Sequence, residues 1–447
     1  MKHSFIWRTA MIGGSLFIAG AAHGAGAYFQ VDYPPSAEAS GLQLGVTYTL
    51  WIPSNVPKLR GVIVHQHGAG RSAAAAGAVA AYDLHWQALA RKWNCALLGP
   101  SYHVLNDSID YSPGGAELWY DPGHGSEKAF LRGLADLAAK SGHPEVATVP
   151  WCLWGHSGGG IWSSIMELLH PDRVVAAFFR SGNGFTRWER GEIPRTPISS
   201  AAMQVPMMAA IGNKEKGEGA WVGTVGLFKL YREKGAPIGF AADPRTGHEC
   251  GDSRYLAIPF FDACLAMRLP DEGSADQALK PVDLRQSWLA IPTDGNAVPA
   301  TQFVGNVREA AWLPNEAVAK VWTEYVRTGE VGDCTPPAGP FDLRATPTSD
   351  GKNEITWDAE PDLESGIGGF IILRDGRGLV RLPLDPPQQL LGRPLFQGIS
   401  FHDTPEQPLP EMRFVDMSSK SGEKHTYTVV TLNGAGIPSV PTAVSVP

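Results

Sequence analysis

Trp154-Gly155-His156-Ser157-Gly158-Gly159 contains the pentapeptide G-x-S-x-G, set between an apolar segment and a stretch with helical spacing. Upstream, Val149-Pro150-Trp151-Cys152-Leu153-Trp154 suits a buried strand. Downstream, Ile161, Ile165, Leu168 and Leu169 recur at helical spacing as far as His170. A serine on a sharp strand-to-helix turn occupies strained backbone, and side chains at the flanking positions would collide with the neighbouring strand and helix. Gly155 and Gly159 remove those collisions, which makes Ser157 the candidate nucleophile. In a chain with 51 glycines the pentapeptide alone reads equally well as a plain Gly-rich turn; its flanks give it meaning.

On either side of this turn the chain alternates strand and helix from residue 28 to about 269. Strands are expected over 46–51, 61–66, 95–99, 149–154, 174–180, 207–211 and 238–242, and helices over 73–93, 126–139, 158–170, 220–234 and 253–267. Apolar strands joined by helices imply an α/β fold, a doubly wound, mostly parallel sheet covered on both faces. Ligands bind such sheets beyond the carboxyl ends of the strands, where Ser157 falls.

A serine alcohol is a poor nucleophile until a base takes its proton, so Ser157 calls for a histidine beyond the last strand. His248 has that placement, following the strand over 238–242 through Asp243-Pro244-Arg245-Thr246-Gly247. His170 ends the helix that Ser157 begins and lies too far along it to return. The carboxylate that orients the imidazole should follow the strand over 207–211. There Gly212-Asn213-Lys214-Glu215-Lys216-Gly217-Glu218 offers Glu215, with Glu218 as the alternative; a solvated charged loop is the plainer reading of the same residues. Asp243 is nearby but sits awkwardly on the histidine's own loop. Charge developing on a tetrahedral intermediate needs backbone donors: the amide of Gly158, and a second from His65-Gln66-His67-Gly68-Ala69-Gly70, with Ala69 the expected donor. His67 reads best as a structural histidine, and a metal at His65 and His67 is a lesser option.

An HG-type oxyanion loop, a G-H-S-G-G elbow, a G-x-x-E acid loop and a late histidine, in that order, resemble the α/β-hydrolase superfamily over residues 28–269. Within it the chain is most similar to secreted serine esterases of the dienelactone-hydrolase, feruloyl-esterase and polyester-esterase sort. The resemblance implies a serine hydrolase, specifically a carboxylic ester hydrolase working through an acyl-enzyme on Ser157, with His248 and Glu215 completing the triad and no cofactor. Glutamate in place of the commoner aspartate and an added C-terminal domain are its departures. Two readings compete: an exopeptidase or amidase of the same fold, and a catalytically silent protein that binds a polysaccharide or surface.

The loop over 101–125 carries Tyr102, Tyr111, Trp119 and Tyr120 and is expected to overhang the site. Tyr102 and Trp119 are candidates for a substrate-binding pocket, or they pack the loop onto the body.

The remaining segments set the protein's surroundings. A basic start at Lys2 and Arg8, an apolar stretch over 10–22 and Ala25-Gly26-Ala27 fit a signal peptide over residues 1–27, giving a secreted or periplasmic protein without a stable membrane anchor. Its removal takes the net charge from −8 to −10, which disfavours nucleic acid as a partner. The odd number of cysteines leaves at least one unpaired in a monomer, and neither C-x-x-C nor H-E-x-x-H occurs to suggest zinc. Residues 270–339 read as a packed connector with one helix over 316–327, ending in the stiff, Pro-rich segment Asp333-Cys334-Thr335-Pro336-Pro337-Ala338-Gly339-Pro340. Over 340–447, short alternating strands between turn signals imply a β-sandwich. The strands of Trp357 and Tyr427 and the turn Asn433-Gly434-Ala435-Gly436 resemble a fibronectin type III domain, expected to be a spacer or, alternatively, a contact for glycan or surface. The implied partner of the site is an ester, small or polymeric.

Overall fold

The apolar runs pair into one eight-stranded sheet. Its strands are β1 (Gly26–Tyr33), β2 (Val46–Pro53), β3 (Gly61–Gln66), β4 (Cys95–Tyr102), β5 (Trp151–His156), β6 (Val174–Arg180), β7 (Met207–Gly212) and β8 (Ile238–Asp243), in spatial order β1-β2-β4-β3-β5-β6-β7-β8. Pairings of β2 with β1 and β4 are antiparallel; from β4 to β8 all are parallel. The computed structural model describes residues 26–104, 118–271, 278–386 and 392–446. Residues 1–25 of the expected signal peptide and Tyr111 lie outside them. Strand β1 was not expected; it starts two residues before the anticipated mature terminus at Tyr28.

Every residue of β3, β5, β6 and β7 is buried, as continuous apolar runs require when helices cover both faces. The helices are α1 (Arg71–Gly77), α2 (Leu84–Lys92), α3 (Ser126–Ser141), α4 (Gly158–Leu169), α5 (Phe185–Glu189), α6 (Gly219–Glu233), α7 (Arg254–Arg268) and α8 (Glu316–Thr328). Helix α4 packs on β5 and β6, α7 on β6, and α6 on β7 and β8. The single helix expected over 73–93 is two. Asp83 breaks it by capping α2, its carboxylate accepting from the amides of His85 (3.0 Å) and Trp86 (3.2 Å). Strand order, parallel centre and the turn at Ser157 together define an α/β-hydrolase fold.

The connector adds three short strands, β9 (Trp288–Ala290), β10 (Ala297–Pro299) and β11 (Ala311–Leu313), too brief for alternation to reveal. Helix α8 buries Trp322, whose indole N–H donates to the carbonyl of Phe240 on β8 (2.8 Å). The C-terminal unit is a β-sandwich of two antiparallel sheets. One holds β12 (Phe341–Pro347), β13 (Asn353–Asp358) and β16 (Arg413–Asp416); the other holds β14 (Ile367–Arg374), β15 (Arg377–Leu382), β17 (Thr426–Asn433) and β18 (Thr442–Ser445). Trp357 and Tyr427 lie in its core, the first edge-on to Phe370 and the second donating its hydroxyl to Asp416 (2.7 Å).

This sandwich is not held at a distance from the hydrolase body. Gln397 accepts from the amide of Leu84 (2.9 Å) and donates to the carbonyl of Tyr82 (2.9 Å), and the amide of Arg393 donates to Asp252 (3.0 Å). The segment expected as a stiff linker is itself tied to the sandwich, where Asp333 accepts from Ser365 (2.6 Å) and Asn433 (2.8 Å). All five cysteines are free thiols, and four of them are buried.

Candidate active site

Ser157 stands between β5 and α4 with φ 54° and ψ −116°, a sparsely populated positive-φ conformation that costs a non-glycine residue about 1–3 kcal/mol. Glycines make this turn possible. A Cβ on Gly155 would lie 2.2 Å from the Gly159 carbonyl oxygen, and one on Gly159 would lie 2.4 Å from that of Gln66.

Three side chains separated by up to 91 residues meet at the carboxyl edge of the sheet. His248 Nδ1 lies 2.6 Å from Glu215 Oε1, and His248 Nε2 lies 2.8 Å from Ser157 Oγ. The buried carboxylate only accepts, so Nδ1 carries the proton and Nε2 is left to accept from the serine hydroxyl. Glu215 follows β7 on a single 3-10 turn (Asn213–Glu215). Burial pushes its carboxyl up, but hydrogen bonds from His248 and Ser181 and the charge of Arg180 outweigh that and hold it below the ordinary glutamate value. Glu218, the alternative, is exposed at the start of α6. Asp243 turns away, accepting from the amide of Arg245 (2.8 Å) and the hydroxyl of Tyr325 (3.4 Å).

The amide of Gly158, the first residue of α4, has no acceptor within its helix. A Cβ on Gly158 would lie 3.0 Å from the nitrogen of Ala69, so Ala69 packs directly against Gly158, the residue after Ser157. His67 is fully buried: its Nε2 accepts from the amide of Tyr102 (3.1 Å), its Nδ1 bonds the carbonyl of Gly68, and burial lowers its pKa to about 3. No group of three or more metal-ligating side chains occurs among the described residues.

Tyr102 and Trp119 do not line a pocket. Both rings are buried, 0% and 1% exposed, and they stack on each other at 4.3 Å beneath His67. Each is packed into the body with the other, because two large rings gain more from mutual burial than from facing water.

Sequence reasoning missed four residues that the fold brings here. Ser181 donates to Glu215 Oε2 (2.6 Å). Arg180, wholly buried, donates to Thr246 Oγ1 (2.9 Å) and the Gly247 carbonyl (3.1 Å) and so clamps the loop that carries His248. An arginine closing an otherwise apolar strand at the sheet's functional edge was the available signal for it. His156, inside the pentapeptide, bonds the carbonyl of His248 (2.7 Å), and His402 comes from the β-sandwich to meet it. Nothing local in the sequence marks that last contact.

The sequence matches no family model and no curated protein. Among solved structures, the fold is similar to an S-formylglutathione hydrolase from Agrobacterium tumefaciens, at 16% identity over 55% of this chain and 95% of that one (TM-score 0.37). It is also similar to a dienelactone hydrolase from Anabaena variabilis, at 16% identity over 50% of this chain and 88% of that one (TM-score 0.32). An Fn3-like protein from Clostridium thermocellum is similar over 25% of this chain and 94% of its own, at 18% identity (TM-score 0.16). These likenesses are slight, and the fold assignment stands on strand order and on the turn at Ser157. No described helix is long and apolar enough to cross a membrane.

Proposed function

We propose that the chain is a secreted or periplasmic serine hydrolase that cleaves carboxylic esters, small or polymeric, through an acyl-enzyme on Ser157. The observation that carries this reading is the unbroken hydrogen-bond line from Ser157 Oγ through His248 to Glu215. His248 Nε2 takes the hydroxyl proton as Ser157 attacks the carbonyl carbon. Glu215 holds the tautomer and stabilises the imidazolium. The amides of Gly158 and Ala69 stabilise the oxyanion, each such donor being worth about 3 kcal/mol in the transition state. His248 then returns the proton to the leaving alcohol, and water, activated by the same imidazole, frees the acid.

Hydrolysis of p-nitrophenyl acetate by the wild type and by Ser157→Ala tests this. Activity is expected to fall by about four orders of magnitude or more in the variant. Retained turnover would show that the nucleophile lies elsewhere.

A further inference from the structure

We propose that His402, on a loop of the β-sandwich, is a positioning residue for His248, its Nδ1–H holding His156 while His156 holds the backbone carbonyl of His248. The inference rests on the proposed role of His248 and adds to it a contribution from the other domain.

The tautomers follow from the partners. The carbonyl of His248 can only accept, so His156 Nε2, 2.7 Å away, carries a proton. A neutral His156 then presents Nδ1 as an acceptor. His402 Nδ1 lies 3.2 Å from it and must be the donor. Burial lowers His402 to about 4 and His156 well below the ordinary histidine value, so both rings are neutral near pH 7, as this one-way arrangement requires.

The loop that carries His402 is built to hold its place. Phe401 accepts from the amide of Cys250, two residues beyond His248, at 3.1 Å. Asp403 is wholly buried in the hydrolase body, accepting from Arg254 Nε (2.6 Å), Trp86 Nε1 (3.1 Å) and His65 Nε2 (3.2 Å). Within the loop, the amide of His402 donates to Ser400 Oγ (3.1 Å) and that of Ser400 to the Thr404 carbonyl (2.8 Å). His402 therefore meets His156 from a fixed base, and the segment bearing His248 is gripped through its own carbonyl and through Cys250. A side chain that acts only by setting the imidazole's position affects the chemical step and leaves substrate affinity alone.

The test compares p-nitrophenyl acetate hydrolysis by full-length wild type, His402→Leu and His402→Asn, with thermal unfolding followed in parallel. Leucine removes the donor; asparagine places an amide N–H near the position of Nδ1. The expected result is a fall in kcat of about tenfold or more for His402→Leu with KM changed less than about twofold, and recovery to within about threefold of wild type for His402→Asn. Wild-type turnover by His402→Leu, or equal loss in both variants, overturns the proposal. Should His402→Leu not fold, His402→Gln carries its amide one bond further out and takes its place, with the same fall expected and the same overturning result. A wild type that neither hydrolyses the ester nor reacts with a fluorophosphonate brings down the reading of Ser157 and this proposal with it. A fully active wild type matched by His402→Leu brings down this proposal alone.

Discussion

At Glu215 two oxygens do different work. Oε1 takes the proton side of His248 and Oε2 accepts from Ser181, so the carboxylate is held on both sides and cannot rotate away from the imidazole. Glu215→Gln keeps the shape but lets its amide donate to Nδ1, which favours the opposite tautomer and puts a proton on Nε2 facing Ser157. The variant is expected to lose about a thousandfold or more in kcat while folding normally, read from ester turnover beside thermal unfolding; an unimpaired rate would mean the carboxylate does not set the tautomer. At this scale the sequence was legible where a motif imposes geometry. The glycines around Ser157 and the placement of His248 and Glu215 after consecutive strands could be read from order alone. Ser181 could not, since no motif marks the serine that meets Glu215 34 residues further along the chain, and Arg180 left only the signal of a charged residue closing an apolar strand. Tyr102 and Trp119 were ambiguous for the opposite reason, because an aromatic in a loop has the same appearance whether it lines a pocket or fills a core.

Helix α4 does more than follow the turn at Ser157. On its buried side Glu167 accepts from the hydroxyl of Tyr231 (3.1 Å), and burial pushes its carboxyl up to about 8. Such a group is protonated in the fold yet ionised in the unfolded chain above about pH 4.5. Folding takes up a proton, so stability falls as the pH rises from about 4.5 towards 8. Glu167→Gln keeps a polar partner for Tyr231 without that penalty. It is expected to be more stable than wild type by about 3 kcal/mol at pH 7, with the advantage gone at pH 4, as measured by denaturant unfolding at the two values. Equal pH slopes for the two proteins would contradict it. Elements of this kind were legible from the period of their apolar residues, and α4, α6 and α7 fall within a residue of expectation. What escaped were elements without a period to read: the three-residue strands of the connector, and β1, where half-exposed residues face a single neighbour. The break between α1 and α2 was written in Asp83, a capping residue inside an otherwise helical run.

Across the whole molecule, the β-sandwich and the hydrolase body share a buried charge network. Arg254, at the start of α7, pairs with Asp403 of the sandwich (2.6 Å) and with Asp83 of the body (2.7 Å), all three within 2% of complete burial. Removing one partner of such a network leaves charge stranded in a dry interior, at a cost of about 3–5 kcal/mol. Asp403→Asn is therefore expected to destabilise the full chain by about 3 kcal/mol, and calorimetry should show one unfolding transition in the wild type rather than one per domain. Independent transitions in the wild type would contradict the coupling. Burial pushes the Asp403 carboxyl up, but Arg254 and His65 outweigh that and hold it below the ordinary aspartate value. Its folded pKa is thus depressed, so its stabilisation is present above the unfolded value near about 3.9 and is lost as the pH falls through the folded one. From the sequence the two folds were each recognisable, but their union was not: strand patterns report what an element buries, whereas a single aspartate in a polar loop carries no mark of the arginine it will meet 149 residues away. The central claim, a proton relay that activates Ser157, is tested most directly by reacting the protein with a fluorophosphonate and mapping the adduct by peptide mass spectrometry, in wild type and in His248→Ala. The prediction is one adduct, on Ser157, formed about a thousandfold more slowly in the variant. An adduct on another residue, or an undiminished rate without the imidazole, would contradict it.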